Sequence, residues 1–219
     1  MRRLYCSTSS PRTTATRASA RLLTRAISVD ARTGVTMNRV ETAGARPAVF
    51  LDRDGTIIED RGHLGHIGQI ELFPFAVEAL RMLQEKYLLF IVTNQSGVSL
   101  GTITRDAAER VNTHVVRMLL SHGITIQQVY CCFHARHDQC DCIKPRPYFI
   151  EKAAGQFSID IPRSYSIGDH PHDVEFGRAA GATGLYVFTG HGQKHKRELA
   201  HGALCFDDLL SAAQWIMAH

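Results

Sequence analysis

The chain has 219 residues, with 25 Lys+Arg, 21 Asp+Glu and 12 His, a formal net charge of +4, 44 % hydrophobic and 21 % charged residues. At about 150 residues per domain this is one domain, or one domain with a tail, and the composition excludes wholesale disorder. The longest apolar runs, such as Tyr87 to Val92, fall far short of the roughly 20 residues of a membrane span, so no membrane partner is expected.

The charge is unevenly divided. Residues 1–46 hold nine arginines, no lysine and two acids, Asp30 and Glu41, hence +7; the other 173 residues hold 16 bases and 19 acids, hence −3. A domain with that balance offers no concentrated basic face for nucleic acid. The Arg-, Ser-, Thr- and Ala-rich stretch 1–46 lacks the apolar core of a secretory signal. It reads either as an organellar transit peptide or as a disordered, dispensable extension ahead of a start at Met37. The expected compartment is the cytoplasm, or a mitochondrion or plastid if 1–46 is a transit peptide. The folded domain is expected over 47–219.

From Pro47 the chain alternates strands and helices. Ala48–Leu51 reads as a short buried strand, and Phe75–Lys86 as a helix behind Pro74 with apolar residues at helical spacing. Tyr87–Thr93 is a strand apolar throughout, as burial on both faces requires. Thr104–His122 is a helix capped by Thr104 and stopped by Gly123. Ile124–Cys131 is a strand, Pro147–Gln156 a helix, Ser164–Ile167 a strand, Asp173–Ala180 a helix, Thr183–Val187 a strand and Asp207–Ala218 a helix. This alternation predicts an α/β fold, a doubly wound, Rossmann-like parallel sheet with helices on both faces and ligands beyond the carboxyl ends of its strands.

The chemistry-bearing residues fall at those strand ends. Asp52-Arg53-Asp54-Gly55-Thr56 sends two carboxylates the same way from one strand end, with Gly55 to turn the chain. Two anions so close call for a cation, so the pair reads as a Mg²⁺ site; the alternative is a turn with solvated acids. Thr93-Asn94-Gln95-Ser96-Gly97 offers a hydroxyl and backbone N–H groups for a phosphate. Lys144, before Pro145, is a fixed cation for a phosphoryl oxygen or a surface lysine. Ile167-Gly168-Asp169-His170-Pro171-His172-Asp173 brings Asp169 to complete the metal site, with Asp173 either orienting it or capping the next helix.

A further constellation lies at Cys131 to Cys142. In extended chain, residues i and i+2 face one side, so Cys132 with His134 and Cys140 with Cys142 present two ligand pairs to one tetrahedral Zn²⁺. The alternative is a reduced cysteine-rich loop. His137 is a substitute ligand for His134, but its mid-loop position favours solvent. Cys131 points the opposite way, as a buried small residue, and a disulfide fits the loop spacing poorly. Gly190 to His195 reads as a surface loop near the site mouth, and a nucleotide P-loop is excluded for want of its Lys-Ser/Thr pattern.

Asp-x-Asp-Gly-Thr, then Thr-Asn, Lys-Pro and Gly-Asp-x-x-x-Asp, in that order over Pro47 to Thr189, resembles the four-motif signature of the haloacid dehalogenase-like phosphohydrolases. The zinc loop before Lys144 is similar to the subgroup of heptose bisphosphate 7-phosphatases and histidinol-phosphate phosphatases. So are Phe50 to Ile57, Val92 to Val98 and the short Gly62–Glu71 loop, which leaves the site nearly capless. The resemblance implies Mg²⁺-dependent phosphomonoester hydrolysis with Asp52 as nucleophile and Asp54 as acid and base. Thr93 and Lys144 would stabilise charge, and Arg53, Asn94 and Gln95 would contact substrate. Mg²⁺ would be held by Asp52, the Asp54 carbonyl and Asp169, and Zn²⁺ by Cys132, His134, Cys140 and Cys142. The implied partner of this monomer is a small phosphorylated substrate, first a sugar such as D-glycero-D-manno-heptose 1,7-bisphosphate, alternatively histidinol phosphate. A polynucleotide 3′-phosphatase or a non-catalytic zinc-loop module ranks lower.

Two positions depart from that pattern. Ile143 stands where the heptose enzymes carry arginine, and His170 where a lysine is usual. Arg136, Arg146, His63 and His66 are the candidate replacement contacts for an anion.

Overall fold

The computed structural model describes residues 26–29, 36–39 and 44–219. Ala26–Val29 (β1) and Thr36–Arg39 (β2) pair antiparallel; the transit-peptide or extension reading of 1–46 otherwise lies outside the described residues. Arg46 already joins the fold, its N–H donating to Ser158 O at 3.1 Å and its carbonyl accepting from Asp160 at 3.0 Å.

Side-chain alternation in Ala48–Leu51 (β3) sets the layering. All four residues are buried, and Val49 and Leu51 enter one core while Ala48 and Phe50 enter another, as a strand covered on both faces must. Leu88–Asn94 (β4), Ile126–Cys132 (β5), Tyr165–Gly168 (β6), Thr183–Val187 (β7) and Leu204–Phe206 (β8) complete a six-stranded sheet in the order β5-β4-β3-β6-β7-β8. Every pairing in it is parallel. One face is covered by Ala76–Gln84 (α1), Arg105–Ser121 (α2) and Leu209–Ala218 (α6), which bury Leu80, Leu83, Val111, Val115 and Ile216. Tyr148–Phe157 (α3) and Pro171–Ala180 (α4) cover the other with Phe149, Ile150 and Phe176.

Strand order reverses at β3. The chain runs outward through β4 and β5, then returns to add β6 on the other side of β3. The crevice of a doubly wound sheet opens at such a point, and Asp52, whose N–H donates to Ile167 O at 2.9 Å, stands on it. Between β3 and α1 the chain forms only a 3-10 turn, Ile67–Gln69, and a bridge of Ile58 with Asp54 and Leu72; among the described residues no cap domain covers the crevice.

Several elements differ from expectation: β5 and α6 start two residues later and α1 ends two residues earlier than predicted. α4 begins at Pro171, two residues before the predicted start, because His170 caps it: the His170 side chain accepts from His172 N–H, and Asp173 accepts from His170 N–H. β8 and the single helical turn Gly192–His195 (α5) are too short for periodicity to reveal. α2 matches its expected caps, with Thr104 Oγ1 accepting from Ala107 N–H at 3.1 Å.

Phe90 centres the second core, with ring centroids 5.2 Å from Phe50, 5.1 Å from Phe157 and 6.2 Å from Tyr130. Phe90→Ala is expected to cost about 3–5 kcal/mol of unfolding free energy, measured as a shift in the urea midpoint with unchanged slope.

Candidate active site

Lys144 brings the strand ends together. Its ammonium donates to Asp52 Oδ1 at 2.5 Å and to Val92 O at 2.9 Å, and lies 2.5 Å from Asp173 Oδ1. An ammonium has three hydrogens, and each has an acceptor here. Burial alone would lower the Lys144 pKa, but the Asp173 and Asp52 carboxylates outweigh it and hold it above the ordinary lysine range. Asp173 takes the capping role of the two expected for it, accepting from His170 N–H at the start of α4, and in addition pairs with Lys144.

Asp169 leaves β6 beside Asp52 and is buried. Its Oδ2 accepts from His191 N–H at 2.7 Å. Gly55, at φ +80°, and Gly190, at φ +53°, make room for it: a Cβ on either would fall within 2.1–2.2 Å of that same oxygen. Burial pushes Asp52 up to about 7, with Lys144 opposing and Asp173 and Asp54 adding repulsion. Burial, then Asp52 and Asp173, push Asp169 up to about 8. Three buried carboxylates thus face one ammonium, an imbalance that a hard divalent cation on oxygen donors relieves. The residues present fit Mg²⁺.

Asp54 sits in a cradle of N–H donors. Arg53 Nε and one of its terminal nitrogens, Nη2, reach Asp54 Oδ1 at 3.1 and 2.9 Å; the same Nη2 reaches Oδ2 at 2.7 Å, and Gln95 Nε2 donates to Oδ2 at 2.7 Å. Gln95 Nε2 also donates to Thr93 Oγ1 at 2.8 Å. Arg53 was expected to contact substrate. Its side chain is 0 % exposed and points back to Asp54 and to Asn112, whose Oδ1 accepts from it at 2.5 Å. The structure therefore corrects that expectation: position 53, between two carboxylates that face the crevice, faces the protein. Gln95 is likewise buried and engaged with Asp54, while Asn94 Oδ1 accepts from Lys144 N–H at 3.3 Å. Sequence reasoning missed Asn112 altogether; a lone asparagine in an amphipathic helix gives no signal.

The four expected zinc ligands converge. Cys132 Sγ lies 3.6 Å from Cys140 Sγ and 3.3 Å from Cys142 Sγ, and the latter two are 3.7 Å apart. His134 Nδ1 is 3.6 Å from Cys132 Sγ and 3.4 Å from Cys142 Sγ. A tetrahedral zinc with Zn–S near 2.3 Å and Zn–N near 2.0 Å sets S···S edges of roughly 3.7 Å and N···S edges of roughly 3.5 Å. The thiols fit that ion and stand well beyond the disulfide length of about 2.05 Å. His137 turns outward, 71 % exposed, and Cys131 faces Asn112 and Arg53 on the other side of β5. The loop is tied to the catalytic strands: Gln95 N–H donates to Cys132 O at 2.7 Å, and Lys144 follows Cys142 by two residues.

The rim differs from expectation at several points. Burial and the adjacent His172 imidazole push His170 down to about 4, so it does not supply the charge of a lysine. Arg146 donates to Cys140 O within the zinc loop. His63 bonds Thr102 Oγ1 at 2.6 Å, and His66 caps the 3-10 turn through Gly68 N–H at 3.1 Å. Arg136 reaches His172 Nδ1 at 2.7 Å.

Comparison with known proteins places the chain in a family. A HAD-hydrolase-like family model matches residues 141–212. The D-glycero-beta-D-manno-heptose-1,7-bisphosphate 7-phosphatase of Salmonella typhi is 35 % identical over 155 residues, covering 66 % of this chain and 81 % of that protein. A histidine biosynthesis bifunctional protein of Blochmanniella floridana is 31 % identical over 141 residues, 63 % of this chain and 40 % of that protein. Among solved structures, the D,D-heptose 1,7-bisphosphate phosphatase of B. bronchiseptica, complexed with magnesium and phosphate, superposes with a TM-score of 0.72 at 25 % identity, covering 78 % of this chain and 98 % of that one. With the four motifs at their strand ends and a relative of this identity and coverage, the chain belongs to the haloacid dehalogenase-like phosphohydrolases, in the subgroup of the heptose bisphosphate and histidinol-phosphate phosphatases.

Proposed function

We propose that this phosphatase removes the 7-phosphate of D-glycero-β-D-manno-heptose 1,7-bisphosphate, or of a closely similar sugar phosphate, through an aspartyl-phosphate on Asp52. The observation that carries the reading is the buried Lys144 ammonium locked between Asp52 and Asp173 at the switch-point strand ends. Asp52, Asp169 and the Asp54 carbonyl would hold Mg²⁺, whose charge offsets the repulsion between a carboxylate nucleophile and a phosphate dianion.

In the first step an Asp52 oxygen bonds to phosphorus, the ester P–O bond breaks, and the departing alkoxide takes a proton from Asp54. In the second, Asp54 takes a proton from water, the water oxygen bonds to phosphorus, and the Asp52–phosphorus bond breaks to release inorganic phosphate. The positive charge of Lys144 and the Thr93 hydroxyl would stabilise the charge that develops on the phosphoryl oxygens. Histidinol phosphate is the second reading. It is favoured by Ile143, which cannot make the bidentate phosphate contact of an arginine, and by the likeness to the histidine biosynthesis protein.

A panel of sugar mono- and bisphosphates with histidinol phosphate, ranked by kcat/KM, tests the substrate. Asp52→Asn is expected to abolish turnover on every member while leaving the melting curve cooperative. Near-normal turnover in that variant refutes the mechanism.

The raised carboxyls give a linkage prediction. Asp52 and Asp169 hold protons more tightly folded than unfolded, so without metal the domain loses stability as pH climbs from the ordinary carboxylate range to about 8. Mg²⁺ competes with those protons. The rise in Tm on saturating Mg²⁺ should therefore be larger near the top of that window than near its foot, and Asp169→Asn should flatten the difference in thermal melts.

Zinc removal is expected to act through Lys144. Cys140→Ser should abolish stoichiometric zinc by metal analysis and lower Tm, and should reduce kcat at least about tenfold, the scale on which displaced support of a site is felt.

A further inference from the structure

The buried Arg53 guanidinium contributes nothing to the steps above, yet it sits against the one group that moves protons in both. We infer that Arg53, anchored from behind by Asn112, is the positioning residue for the Asp54 acid–base carboxyl, and that its worth to the enzyme depends on how badly the leaving group needs a proton. The inference rests on the proposed roles of Asp52 and Asp54.

Three observations carry it. The contact is a fork: Nη2 reaches both Asp54 oxygens, at 2.9 and 2.7 Å, while Nε adds a third contact at 3.1 Å. A planar guanidinium in that arrangement fixes the carboxyl plane as well as its position, which a point charge such as an ammonium cannot do. The guanidinium is itself immobilised, fully buried and bonded through Nη1 to Asn112 Oδ1 at 2.5 Å. Asn112 lies on α2, 8 % exposed, in the first half of a 17-residue helix whose Val111 and Val115 are locked in the core. The series α2, Asn112, Arg53, Asp54 thus transmits the rigidity of a packed helix to a carboxyl on a loop. Gln95 closes the cradle from the β4 side. A general acid works only within hydrogen-bond reach of the atom it protonates, and this cradle sets that reach.

The test exploits the leaving group. A sugar alkoxide must be protonated as the ester bond breaks, whereas p-nitrophenolate departs as a stable anion. kcat/KM reports the steps up to loss of the leaving group, so the ratio of kcat/KM for the best sugar phosphate to that for p-nitrophenyl phosphate isolates proton donation. Arg53→Lys keeps the charge and removes the fork. It is expected to lower that ratio by about 30- to 100-fold, within the range attributed to general acid catalysis, with KM changed by no more than about threefold on the same scale of effects. Asn112→Ala should lower the ratio in the same direction by roughly tenfold, and the double variant should do no worse than Arg53→Lys alone, because the two act in series. An unchanged ratio overturns the inference, whether both esters lose activity equally or neither loses any. Should Arg53→Lys fail to fold, Asn112→Ala decides by the same ratio. Asp52→Asn separates the outcomes: if it abolishes hydrolysis of both esters while the Arg53 ratio stays flat, the phosphatase mechanism stands and only the positioning role falls.

Discussion

The site is organised around one buried ammonium. Lys144 has its three hydrogens directed at Asp52, Asp173 and the Val92 carbonyl, and each acceptor comes from a different strand end or the helix that follows it. Burying a charge costs several kcal/mol unless it is paired and fully hydrogen-bonded. That condition constrains the neighbours in turn. Asp173 cannot leave the first turn of α4 without exposing Lys144 to an unmet hydrogen, and Asp52 cannot rotate without the same penalty. The Asp52 carboxylate, the proposed nucleophile, is thereby held in one orientation by electrostatics rather than by packing.

What places Lys144 is the segment before it. A lysine at the end of a loop would carry large rotamer freedom, and its burial would have to overcome that entropy. Here the loop is cross-linked by four side chains with the separations of a zinc tetrahedron, two residues upstream. Its Cys132 carbonyl and the Asn94 side chain hold the β4 end and the Lys144 backbone together. The loop thus draws local rigidity from two sources, the second core, which includes Cys132, Cys140 and Cys142, and the metal these thiols fit.

How much of this could be read from the sequence depends on the range of each interaction. The sheet and its helices follow from periodicity, and Asp52 with Asp54, or Cys132 with His134, follow from i, i+2 geometry in extended chain. The same geometry puts Arg53 on the opposite side, and reading it as a substrate contact overlooked that alternation. Asp173 with Lys144 and Asn112 with Arg53 join residues far apart in the chain. No local pattern marks such pairs, because their partner is set by how α2 and α4 pack on the sheet. The early start of α4 was hidden for a related reason: a histidine cap and a proline at the first helical position replaced the usual Ser, Thr, Asn or Asp signal.

In the proposed reading, reaction and substrate choice rest on physically separate groups. Among the described residues, the hydrogen bonds and ion pairs of Asp52, Asp54 and Lys144 reach Ile167, Arg53, Gln95, Asp173, Asn94 and Val92, all inside the strand-end cluster. Next to Asp169, His170 stacks on His172 at 4.3 Å, and burial pushes His170, at the very position where a lysine is usual, down to about 4. Together with Ile143, this removes two fixed cations from the mouth while the buried machinery keeps every charge it needs. A distal phosphate would therefore lose attraction at the rim without any change at the phosphorus under attack, so selectivity can drift by rim substitutions that leave acyl-phosphate chemistry intact.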